Sequence, residues 1–82
     1  MSYQEQEISK ESLEKHLRVL DSDEGIRIEN NHELIFINKT SRRYCVNLSE
    51  GDQDEFIYMI SASEVLSFLS DKMEPSSKIF SY

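Results

Sequence analysis

Apolar and polar positions divide the 82-residue chain into a helical stripe, a central stretch of alternation and a second helical stripe. Ile8, Ser9 and Leu13 have the spacing of a hydrophobic staple closed over an N-cap, with Ser9 as the cap. Leu13, His16, Leu17 and Leu20 then recur at i, i+3, i+4 and i+7, which predicts an amphipathic helix that ends in the acidic run 21–24 before Gly25. The second helix is signalled by a capping box, Ser61 with Glu64, and by a staple of Ile60 on Val65. Ala62, Val65, Leu66, Leu69 and Met73 line its apolar side, Phe68 lies beside them, and Pro75 marks the stop.

Between the helices, alternation and turn residues predict strands near 25–29, 33–38, 42–48 and 55–60. The expected fold is α+β: helix, four-stranded antiparallel meander, helix, in a single small domain over 1–82, with 1–7 a flexible lead-in and 74–82 a C-terminal tail. Three-residue loops set Ile28 opposite Leu34, Ile26 and Tyr44 opposite Phe36, and Val46 opposite Leu34. The loop at 30–32 suits this because asparagine tolerates the left-handed region, although Glu29 then faces Glu33. A last turn through Ser49 to Glu55, around Gly51, brings Leu48 to Phe56, Val46 to Tyr58 and Tyr44 to Ile60.

On this register the core face holds Ile26, Ile28, Leu34, Phe36, Tyr44, Val46, Leu48, Phe56, Tyr58 and Ile60. The opposite face holds Ile35, Ile37, Cys45, Ile57 and Met59, fringed by Arg27, Arg43 and Asn47. Strands 34–37 and 56–60 are thus apolar on both faces, whereas an exposed antiparallel sheet alternates apolar with polar. Something must cover the second face: a helix, the tail 78–82, a second copy or another protein. Ile35, Ile37, Arg43, Cys45, Ile57 and Met59 are the expected partner-binding residues, because arginine and methionine are enriched where proteins meet.

Charge narrows the partner. Sixteen acidic and nine basic side chains give a net charge of −7, and they are segregated. Residues 1–24 carry seven acids and three bases, residues 50–60 four acids and no base, and residues 25–49 four bases and two acids. The balance favours a protein with a basic or apolar surface and disfavours nucleic acid. A variant of this reading has Asp21, Asp23, Glu24, Glu50, Asp52, Asp54 and Glu55 mimic nucleic acid in the basic groove of a DNA-binding protein. No stretch approaches the roughly 20 apolar residues of a membrane span, and the start lacks the basic and apolar regions of a secretory leader. No membrane partner and a cytoplasmic location are therefore expected.

Enzymatic chemistry finds little support. Cys45, the lone cysteine, has no second thiol for a disulfide or a structural zinc site. It sits mid-strand with no base placed beside it, although Arg43 two residues away favours the thiolate. His16 belongs to a helical stripe, His32 to a turn, and neither has metal-ligand spacing. The acidic loop 50–55 is too short for an EF-hand, and no phosphate-binding glycine motif occurs. Helix, antiparallel strands, helix is also the order of double-stranded RNA-binding domains, but here the second helix region carries Glu64, Asp71 and Glu74 against Lys72. The expectation is a non-enzymatic regulator or inhibitor without cofactor or metal, of the size and acidity that suit a phage or mobile-element protein. A self-associating subunit, a homodimer, is the alternative.

Overall fold

The computed structural model describes residues 5–82, which form β1 (Gln6–Ile8), α1 (Lys10–Arg18), β2 (Gly25–Glu29), β3 (Leu34–Lys39), β4 (Tyr44–Glu50), β5 (Gln53–Met59), α2 (Ala62–Ser70) and β6 (Lys78–Ser81). All six strands join one antiparallel sheet in the order β1-β6-β2-β3-β4-β5. This corrects the expected four-stranded meander between two helices. The extra strands come from the lead-in and the tail; residues 1–4 of that lead-in lie outside the described residues.

The tail is neither loose nor laid over a face. β6 slots between β1 and β2, pairing Ile79 with both Ile8 and Ile28. Gly25 and Tyr82 continue the ladder by exchanging backbone hydrogen bonds of 2.9 and 3.0 Å. Ile79 is buried. β6 thereby satisfies backbone groups that would otherwise leave β2 an open edge.

Register is the second correction. The Asn30 N–H donates to Glu33 O at 2.9 Å, the Thr40 N–H donates to Arg43 O at 2.8 Å, and Glu50 pairs with Gln53. Each hairpin therefore turns through two residues, where three were expected in the first two and 49–55 in the last. Gly51, with φ of 59°, supplies the positive dihedral that the first position of such a turn favours. Among the described residues no other residue type has positive φ, so the asparagines do not use the left-handed region. Asn30 serves differently: its Nδ2 donates to Lys72 O at 3.1 Å and its Oδ1 accepts from the Ser77 hydroxyl, clasping the β2–β3 turn to the segment after α2.

Because side chains alternate along a strand, one residue of slip exchanges the faces of β3 and β5. Ile26 pairs with Ile37 and Ile28 with Ile35; Val46 pairs with Ile37 and Ile57, and Tyr44 with Met59. Ile35 and Ile37 are wholly buried, whereas Phe56 and Tyr58, expected inside, are 60% and 54% exposed. Glu29 faces Leu34 instead of Glu33, which removes the anticipated carboxylate clash.

Both helices lie on the inner face and contribute Leu13, Leu17, Ala62, Val65 and Leu69 to one core with Ile26, Ile28, Ile35, Ile37, Tyr44, Val46, Leu48 and Ile79. Ser9 and Ser61 cap them, accepting from the Ser12 and Glu64 N–H groups at 3.3 and 3.2 Å. Ile8 packs against the core at the first cap, but Ile60 is 77% exposed and staples nothing at the second. The buried Tyr44 hydroxyl donates to Leu17 O at 2.6 Å, serving a carbonyl in the last turn of α1. The register has a direct consequence. Ile37→Ala should cost about 2–5 kcal/mol and Phe56→Ala no more than about 0.5 kcal/mol in denaturant melts, the reverse of what the expected register requires.

Candidate functional site

The sheet face turned away from the helices is the one broad surface on which side chains of all six strands converge. Its central row runs Glu7, Phe80, Arg27, Phe36, Asn47 and Phe56 from edge to edge. On one side of it lie Tyr82, Gly25, Asn38, Cys45 and Tyr58, and on the other Lys78, Glu29, Leu34, Ser49 and Asp54. The inner face is chiefly aliphatic; this one is aromatic and amphipathic.

Cations are held flat on its rings. The Arg43 guanidinium carbon lies 4.3 Å from the Tyr58 ring centroid, and that of Arg27 4.7 Å from Phe80. Arg27 is also paired with Glu5 at 3.0 Å and Glu29 at 3.1 Å, so its charge is balanced locally. Its Nε is buried without a hydrogen-bond partner among the described residues.

Gly25 is a flat spot for the Tyr82 ring: a Cβ there would lie 2.6 Å from Tyr82 Cζ and 2.7 Å from its hydroxyl oxygen. Burial pushes the Tyr82 phenol above its ordinary value, Glu5 adds to the rise, and Arg27 opposes it.

The expected partner-binding residues do not share a surface. Ile35, Ile37 and Met59 are buried beneath the helices, and Ile57 is half-buried against the core at the β5 edge. Half-buried Cys45 and exposed Arg43 are on the open face. Two-fold pairing through Ile35, Ile37, Ile57 and Met59 therefore has no patch to use. The open face instead presents Leu34, Phe36, Phe56 and Tyr58, which the expected register puts in the core, with Phe80 and Tyr82, whose apolar tail spacing was their only signal.

The seven expected acidic residues are all exposed but stand at opposite ends of the sheet. Glu50, Asp52, Asp54 and Glu55 are at the β4–β5 hairpin, beside a cleft that Glu33 and Lys72 also line, with a Lys72–Glu33 separation of 3.9 Å. Asp21, Asp23 and Glu24 precede Gly25, at the other end of β2, roughly 17 Å away for five extended residues. They form two patches rather than one strip.

Cys45 has no base beside it, since His16 is on α1 across the sheet and His32 is in the turn between β2 and β3. Among the described residues no three histidine, cysteine or carboxylate side chains converge as a metal site requires. No helix among those residues is long and apolar enough to cross a membrane. Comparison with known protein families, curated protein sequences and solved structures gives no match, so the face is read from its own geometry.

Two outcomes test this geometry. Gly25→Ala should destabilise by about 1–3 kcal/mol by displacing the ring, and the loss should vanish in a Tyr82→Ala background, which a double-mutant cycle measures. A raised phenol pKa means that the folded state holds the proton more tightly. Stability is full below the ordinary value of about 10 and falls as pH rises through the raised one. Alkaline melts of Tyr82→Phe should accordingly decline less steeply than those of the parent chain.

Proposed function

We propose that the chain is a small acidic protein-binding module whose open sheet face seats a partner protein and thereby regulates or inhibits it. The observation that carries this reading is the clustering of exposed Leu34, Phe56 and Tyr58 with Phe36 and an Arg43 stacked on Tyr58, all on the face opposite α1 and α2. Aromatic side chains and arginine are the residues that concentrate binding energy in protein interfaces. The partner is basic as well as apolar in contact, because Asp54 lies beside Phe56 on this face and Asp52 is in the turn at its end, with Glu50 and Glu55 on the helix side of the same hairpin.

A stacking platform for single-stranded nucleic acid also uses sheet aromatics, but it needs a cationic groove. Here the net charge is −7 and Arg27 is already engaged by Glu5 and Glu29. Mimicry of nucleic acid by the carboxylates is weakened by their division between two ends of the sheet.

The test compares Phe56→Asp and Tyr58→Asp with Val19→Asp, an exposed position at the end of α1 on the helix side. A protein captured quantitatively from host lysate is purified and titrated against each variant at rising salt. Both face variants should bind at least about tenfold more weakly, roughly 1.4 kcal/mol, the control should bind normally, and salt should weaken the complex. Equal binding by all three variants, or displacement of the partner by single-stranded RNA, overturns the proposal.

A further inference from the structure

The two sheet edges differ sharply. β1 is three residues long and bears Glu7, which is how proteins blunt an edge. β5 is seven residues long, pairs only with β4 among the described residues, and has neither charge nor proline from Phe56 through Met59. Hydrogen-bonded pairs alternate along an antiparallel ladder. Because Glu50 and Gln53 close the turn, Glu55, Ile57 and Met59 bond to β4, whereas Phe56 and Tyr58 aim their N–H and C=O groups away from it. Outward groups of this kind are a template for another strand.

Side chains on the helix side of this edge select the occupant. At one end Glu55 stands in the cleft that it shares with Glu33, Glu50 and Lys72. Next along the edge is a groove lined by Ile57, Met59, Ser63 and Ser67, with Glu64 beside it in the first turn of α2. From residue 44 to residue 71 the chain carries Glu50, Asp52, Asp54, Glu55, Glu64 and Asp71 but no lysine, arginine or histidine. The edge therefore reads acid, apolar, acid, and neither β5 nor α2 supplies a cation. A second copy does not fit this pattern: antiparallel β5 strands bring Glu55 towards Glu64, parallel ones set Glu55 beside Glu55, and each copy carries −7.

We propose that the edge takes up a basic, extended peptide segment as a seventh strand, whose alternate side chains read cation, apolar, cation. One cation faces Glu55, the apolar side chain enters the groove over Ile57, and the other cation reaches Glu64. This pattern is the same read from either end, so both strand directions satisfy it. The intervening residues lie on the open face beside Phe56 and Tyr58.

The site rests on the backbone of β5 and the carboxylates of its helix side, and not on the open-face reading above. Leu34, 39% exposed on the open face, is separated from β5 by β4. Leu34→Asp should weaken an open-face complex and leave strand addition unchanged, so the two proposals fail separately.

The probe is a cyclic β-hairpin peptide whose docking strand reads Thr-Lys-Thr-Val-Thr-Lys-Thr, preformed so that little ordering is left to binding. It should slow amide hydrogen exchange at Phe56 and Tyr58 at least about tenfold and bind more weakly as salt rises. Replacing both of its lysines with glutamates should weaken binding to the parent chain at least about tenfold. Glu55 and Glu64 are exposed and outside the core, so the double variant Glu55→Lys, Glu64→Lys should fold normally by circular dichroism and reverse the preference. No binding at about 1 mM peptide, equal affinity of the parent chain for the two peptides, or protection absent from Phe56 and Tyr58 overturns the proposal.

Discussion

Each of the three hairpins turns through two residues, and this parity decides what the molecule buries. In a two-residue turn, paired positions differ by an odd number, so an inward residue on one strand meets an inward residue of opposite parity on the next. Ile26 and Ile28 therefore select Ile35 and Ile37, and Tyr44 and Val46 select Ile57 and Met59. Lengthening each turn by one residue would put Phe36, Phe56 and Tyr58 under the helices. The whole contrast between an aliphatic inner face and an aromatic outer face follows from these turns.

The inner face then accounts for both helices. Six strands spaced about 4.8 Å apart make a sheet roughly 24 Å wide, and helices about 10 Å across must lie side by side to roof it. α1 packs by β6 and α2 by β4 and β5, so no helix among the described residues remains for the other side. β6 completes the arrangement from the far end of the chain, and its Ile79 joins the core only when β1 and β2 flank it. The Asn30 clasp and the Tyr82 ring over Gly25 tie down the segments on either side of that strand. Strand insertion of this kind couples the two ends of the chain, so the sheet closes through contacts distant in sequence.

Function is read from what this roof leaves bare. Stacked arginines moderate the acidity of the open face without making it basic, because Arg27 is shared between two carboxylates. The protein-binding function proposed above rests on exposed aromatic rings with Asp54 beside Phe56, a combination favoured in protein interfaces over phosphate-binding surfaces. The β5 edge adds a second kind of unsatisfied surface, composed of backbone groups instead of rings.

Much of the local structure was legible in the residues. Ser9 and Ser61 mark helix starts, Leu13 and Leu17 mark a buried stripe, and alternation marks four extended segments, because caps and periodicities act over a few residues. Net acidity and the absence of a second thiol were equally plain. Which face of β3 and β5 lies inside was not, since both alternating sets are apolar and a period of two cannot choose between them. Nor could four residues of tail announce an inner strand, because β6 is defined by the neighbours it pairs with. The sequence by itself determined the elements and their charge, which depend on near neighbours; only the tertiary structure decided register, strand order and the exposed face, which depend on contacts between distant segments.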